Sequence, residues 1–235
     1  MLIIQRPTVE QLDDGDTSNG SFAIGPLEPG FGHTIGNSLR RNLLSSVPWE
    51  AITTVRFDDA LHEFDTLTGV IEDVTDIILN LKDVVLTCTS DEPVVLRLDA
   101  RGPGDVTAGD ISCPSEVEVL YPEIHLAKLD STGRLALDLT VERGRGWLSS
   151  TRPNDNSTIG VIPIDAIFSP IRRVSVTVEP VRVEMSTDFD RLILDIETDG
   201  SIAPRDALAS AGATLRSLVQ LVEEMSEEPE GLTLG

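Results

Sequence analysis

Apolar residues recur every four positions at Phe31, Ile35, Leu39 and Leu43, with Leu44 and Val47 beside them. This spacing predicts a helix with one apolar stripe, which Pro48 closes. Pro26, Pro29, Gly30 and Gly32 mark the turn that leads into it from an extended piece, and Arg40 and Arg41 lie off the centre of the stripe. Alternation from Ala51 to Phe57 predicts a strand, while Val70, Val74, Ile77, Ile78 and Leu81 predict a second helix. The pattern then changes over residues 84–142 to short runs of Val, Leu and Ile separated by Asp-Glu-Pro, Gly-Pro-Gly and Ser-Thr-Gly turns, which predicts a mostly β module.

From Gly144 to Gly160 the chain is rich in Ser, Thr, Asn, Asp and Gly, and a mobile loop is expected. Beyond it Val174, Val176 and Val178 alternate with polar residues. The phase slips at Glu179 and Pro180 and resumes at Val181, Val183 and Met185, so a long strand bulged at the slip is predicted. Thr187 to Asp190 reads as a turn, and Leu192, Leu194 and Ile196 as the returning strand. The last element opens at Pro204, suited to a first helical turn, with Asp206 placed favourably for the helix dipole. Its apolar face is Leu208, Ala211, Leu215, Leu218, Val222 and Met225, and Ala209, Ser210, Gly212 and Ala213 would allow another helix to approach closely.

Composition narrows the function. With 40 acidic against 18 basic residues the formal charge is −22, so direct nucleic-acid binding and attachment to anionic membranes are not expected. The acidity reads first as a solubility or halotolerance device. Cys88 and Cys113 have neither paired spacing nor a neighbouring histidine cluster, so no metal site or other cofactor is expected. The start has no basic region followed by a long apolar stretch, and no apolar run of membrane-spanning length is visible, so a cytoplasmic protein is expected. Asp188-Phe189-Asp190 looks like the paired aspartates of a magnesium centre, but in a predicted turn aspartate is a turn residue and no phosphate cradle accompanies it. His33, His62 and His125 are scattered and define no triad, and a single Arg-Gly-Arg-Gly at 143–146 reads as a tight turn. No catalytic residue is expected.

Periodicity gives an α+β chain with amphipathic first and last helices, and both stripes could simply cover their own sheet. Longer words are more specific. LEPGFGHTIGNSLRRNLLSSVP (27–48), ALHEF (60–64), GVIEDVTDIILNLK (69–82), GPGDVTAGDI (102–111), VERGRGW (141–147), IDAIFSPIRRV (164–174), VRVEMSTDFDRLILDIET (181–198) and SIAPRDALASAGATL (201–215) occur in order along the chain. Together they closely resemble the N-terminal domain of the bacterial RNA polymerase alpha subunit. The resemblance implies an α+β fold of the alpha/D-subunit type, in which a discontinuous dimerisation subdomain (1–50 and 174–230, a sheet plus two long helices) carries an inserted mostly β subdomain (51–173). Residues 231–235 would begin a linker, and the family's C-terminal DNA-binding domain is expected to be absent.

The resemblance further implies a non-catalytic subunit of a nucleotidyltransferase, a homodimer through Phe31, Ile35, Leu39 and Leu43 on one helix and Leu208, Ala211, Leu215 and Leu218 on the other. It implies a contact to the beta subunit at Arg40, Arg41, Leu44, His62 and Glu63, and one to beta-prime at Lys82 and Ile164. Arg41 is the leading candidate, since a guanidinium can make several oriented hydrogen bonds at a desolvated interface. Trp49, where the family commonly has Gly, and Ser186, in place of a customary Arg, depart from the pattern. They leave room for a divergent alpha-like paralogue that regulates or replaces alpha in a specialised polymerase.

Overall fold

The computed structural model describes residues 6–13, 17–151, 159–183 and 186–224, with the side chains of 183 and 186–188 left aside. In chain order the elements are β1 (Thr8–Gln11), β2 (Asn19–Leu27), α1 (Phe31–Ser46), β3 (Trp49–Phe57), α2 (Val74–Lys82), β4 (Leu86–Cys88), β5 (Val94–Arg101) and β6 (Gly104–Thr107). They continue with β7 (Ile111–Ser112), β8 (Val117–Val119), β9 (His125–Leu129), β10 (Arg134–Gly144), β11 (Gly146–Leu148), β12 (Ile162–Pro163), β13 (Ala166–Phe168), β14 (Ile171–Val183), β15 (Ser186–Thr198) and α3 (Pro204–Glu224). The chain forms two compact units, one made of 1–47 with 170–235 and the other of 48–169. The seams fall at Val47/Pro48 and Ser169/Pro170, a few residues before the expected 50/51 and 173/174, because β3 and β14 are each unbroken strands that begin just after a proline.

In the first unit the sheet order is β1-β2-β15-β14, all antiparallel. Helix α1 packs on β14, β15 and α3, while α3 also rests on β2 and β15. The core joins Phe22, Leu27, Leu39, Leu43, Val174, Leu192, Leu194, Ile196, Ala207 and Ala211. Burying each large aliphatic side chain contributes about 1.5–3 kcal/mol relative to exposure. Close approach of α1 depends on Gly32 and Gly36, one turn apart. A Cβ on Gly36 would lie 2.7 Å from Val176 Cγ1 and 2.8 Å from Leu192 Cδ1, and one on Gly32 would lie 2.8 Å from Val178 Cγ1.

Two details of this sheet differ from the sequence reading. Residues 187–190 belong to β15 rather than to a turn. The β14–β15 pairing also runs without a break through Glu179↔Arg191 and Pro180↔Asp190, its shifts lying instead between Ile171 and Arg173 and between Val181 and Val183. Because β14 is an edge strand, Pro180 can lack an amide hydrogen without interrupting the ladder. Met185 lies outside the described residues.

The second unit has a five-stranded sheet, β12-β3-β10-β5-β7, with three two-stranded ribbons, β4-β8, β6-β9 and β11-β13. Helix α2 begins at Val74 rather than near Val70, because Asp73 caps it by accepting the Asp76 amide at 2.8 Å. Val70 instead forms an isolated bridge with Leu129. Val74, Ile77 and Leu81 pack into a core with Val55, Leu96, Leu98, Leu126, Leu137 and Leu139.

Candidate functional site

Both long helices carry their stripes as predicted, but the structure divides each one. On α1, Leu39 and Leu43 enter the core of their own unit, and Leu43 has no exposed surface at all (0%). On α3, Ala211 is likewise fully buried, and Leu208 and Leu215 pack partly against the same core. Leu43 and Ala211 are therefore engaged within the protomer and have no surface left to offer a partner, which corrects their assignment as interface residues; Leu39, 6% exposed, keeps a small surface on the groove beside α3. What remains available is Phe31 at the start of α1, half-buried Ile35, and the last two turns of α3, where Leu218 (52%), Val219, Leu221 and Val222 stand exposed. Val219 and Leu221 were missed by the single-stripe reading, although the run SLVQLV is apolar over more of the helix than one stripe needs.

Beside α3 lies an open groove of about 580 Å³, lined by Val9, Phe22, Ile24, Leu39, Leu208 and Gly212 among others. Its β1 wall was also missed, since Thr8–Gln11 is too short and polar to read as a strand with a function.

Arg40, Arg41 and Leu44 project from α1 and are exposed. Arg40 Nε donates to the Val174 carbonyl at 3.3 Å, within the unit. Among the described residues no carboxylate pairs with Arg41. The second unit treats its arginines otherwise: strand register sets Arg56, Asp138 and Arg97 in a row across β3, β10 and β5, and Arg97 also pairs with Asp58 at 2.6 Å. Arg134 pairs with Asp99 at 2.7 Å.

His62 and Glu63 sit in an exposed loop held from within. Asp65 Oδ2 accepts the amides of Leu61 at 2.9 Å and His62 at 3.0 Å, and Thr75 Oγ1 donates to the Glu63 carbonyl at 2.7 Å. Those two amides hold the Asp65 carboxyl below the usual carboxylate range. The loop also presents Leu61 and Phe64, the latter 83% exposed.

Lys82 ends α2 with its Nζ 3.6 Å from Asp165 Oδ2, and Asp165 Oδ1 accepts the Ser150 amide at 2.7 Å. The Ser150 bonds, and then Lys82, hold the Asp165 carboxyl below its ordinary value. Ile164, the other residue expected to meet beta-prime, is a core residue only 3% exposed, its amide bonded to the Thr53 carbonyl at 2.8 Å. It can support that surface but cannot form it, which corrects its assignment as a contact.

The aspartate pair has a structural use. Asp190 Oδ2 accepts the amides of Gly30 at 2.8 Å and Gly32 at 3.2 Å. It thereby caps α1, whose own N-cap residue, Gly30, has a left-handed φ of 86° and no side chain to do so. The Asp188 side chain lies outside the described part. Among the described residues no group of three His, Cys, Asp or Glu is placed to hold a metal. Both cysteines are free and partly buried, and burial pushes the Cys113 thiol up. No helix among the described residues is long and apolar enough to cross a membrane.

A family model described as the RNA polymerase Rpb3/RpoA insert domain matches residues 55–169, nearly the whole second unit. Over its full length the chain is 53% identical to the DNA-directed RNA polymerase subunit alpha of Corynebacterium efficiens, covering 69% of that protein. It is 54% identical to the subunit of the same name from Frankia alni, with 67% of that protein covered. With the Kineococcus radiotolerans subunit it shares 52% identity, over all of this chain and 70% of the relative.

Proposed function

This chain belongs to the family of DNA-directed RNA polymerase alpha subunits, and from that premise we propose that it is the assembly platform of the enzyme, a homodimer that captures beta first and beta-prime second. The observation that carries the reading is the pairing, within one unit, of an exposed apolar helix end (Leu218, Val219, Leu221, Val222) with an apolar groove bounded by β1, β2 and α3. In a two-fold dimer each helix end enters the groove of the other protomer, so one self-complementary patch serves both. Fully burying each such side chain contributes about 1.5–3 kcal/mol, set against the entropy cost of association. Phe31 and Ile35 join the same seam from α1.

A symmetric dimer presents every surface twice, whereas the enzyme has one beta and one beta-prime, so each large subunit uses a different protomer. Beta meets Arg40, Arg41, Leu44 and the His62–Glu63 loop. Arg41 is suited to this because it is exposed and lacks a carboxylate partner among the described residues in a chain of net charge −22. Beta-prime meets the surface around Lys82. The chain supplies no catalytic group and needs no cofactor for this role, and it acts in the cytoplasm with the rest of the polymerase.

The test is light scattering after size exclusion on the protein alone, with purified beta, and with beta plus beta-prime. A dimer that grows to two copies plus one beta, and then to a four-chain core, is the expected result. A dimer that ignores beta would keep the fold and remove the platform role.

A further inference from the structure

The expected beta-prime contact leaves a gap, because Ile164 is buried and Lys82 is tied to Asp165. An exposed pair of large apolar side chains stands next to it. Trp147 and Ile167 are directly opposed across the β11–β13 ribbon and are 64% and 68% exposed. Strand alternation turns their neighbours Ala166 and Phe168 inward. The corner beneath is built on glycines: a Cβ on Gly144 would lie 2.7 Å from the Phe168 ring, and Gly146 holds a φ of 69°. The aromatic is thus carried on a packed ribbon, not on a fraying end.

Charge and continuity point to the occupant. Asp165, immediately before β13, receives both the Ser150 amide and Lys82 Nζ, so the ribbon and the end of α2 form one surface. Arg145, just ahead of β11, is exposed and has no carboxylate partner among the described residues. Because Lys82 is shared with Asp165, Arg145 is the cation left over here, beside an apolar pair on a strongly acidic chain. An exposed tryptophan beside an uncommitted arginine is the composition of an interface anchor, and its complement is an apolar segment that brings a carboxylate for the arginine.

We infer that the Trp147–Ile167 ribbon is the anchor by which this chain holds beta-prime, through an apolar, acid-flanked segment of that subunit, with Lys82 and Arg145 at the rim. The inference rests on the platform reading and moves the contact from buried Ile164 to the exposed pair beside it.

The experiment compares the wild-type chain with Trp147→Ala, Ile167→Ala and Trp147→Phe, each first bound to beta, and titrates beta-prime while following complex formation. Circular dichroism and melting of each variant verify the fold. Both alanine variants should bind beta as wild type does and lose beta-prime affinity by about tenfold or more, as hot-spot truncations do, and Trp147→Phe should recover part of the loss. Beta-prime affinity within twofold of wild type in folded alanine variants would overturn the anchor while leaving the platform standing. Loss of beta instead of beta-prime would also overturn it, assigning the ribbon to the other subunit. Failure of the wild-type complex to take up beta-prime would overturn both readings.

Discussion

Gly36 and Asp65 show how single residues set the two units. A methyl group at Gly36 meets Val176 and Leu192 at under 3 Å, so α1 must lift or the sheet must give way. Gly36→Ala should cost about 1–3 kcal/mol in urea unfolding, against the helix-propensity gain of up to about 1 kcal/mol that Gly→Ala brings where there is room. No loss of stability would mean that α1 does not sit as close as the structure places it. Asp65 acts through charge. Its carboxyl titrates below its ordinary value of 3.8 in the fold, so the folded state binds fewer protons there than the unfolded chain. Its support of the 61–65 loop is therefore complete above the ordinary value and is lost as pH falls through the lower folded value. In an acid titration followed by NMR, the Leu61 and His62 amide resonances should shift in that acidic range, and should not do so in Asp65→Asn. Identical behaviour in both proteins would separate the loop from this carboxylate.

Among the elements, α3 has two halves with different surroundings. Its first turns are packed, with Ala207 and Ala211 fully buried, while its last two turns expose Leu218, Val219, Leu221 and Val222. Leu218→Asp with Val222→Asp changes only exposed positions, so the monomer fold should persist while the dimer is lost, seen as a halved mass with an unchanged far-UV spectrum. Retention of a full dimer would place the seam elsewhere. Gly212 offers a complementary probe because a Cβ there meets nothing within 4 Å and the residue lines the groove. Gly212→Leu should fill the groove and weaken dimerisation without destabilising the unit. The helical stripes were legible in the sequence, but the division of each between the protomer's own core and free surface was not. Periodicity identifies the apolar face of a helix and is silent on what covers it.

At the scale of the molecule, charge separates the free arginines from the committed ones. Arg56, Arg97, Arg134 and Arg143 are held by aspartates or glutamate in the second unit, whereas Arg41 has no such partner among the described residues. Arg41→Ala should leave both the dimer and the melting temperature close to wild type and weaken capture of beta, with a dissociation constant raised about tenfold or more if the guanidinium is a hot spot. A monomeric Arg41→Ala protein would show that the dimer seam and the beta surface are not separate.

The sequence by itself determined the class of fold, the two amphipathic helices, the β-rich insertion and the family, because those depend on local periodicity, turn residues and long ordered words. It also singled out Arg41, His62 and Lys82 as candidates for the contacts proposed above. Only the tertiary structure decided that Leu43, Ala211 and Ile164 face inward, that Asp190 caps a helix instead of shaping a turn, and that Trp147 and Ile167 share an exposed ribbon. Asp190 and Gly30 lie 160 positions apart, and Trp147 meets Ile167 through strand register. Burial and capping between such distant residues are properties of packing, which no local pattern records.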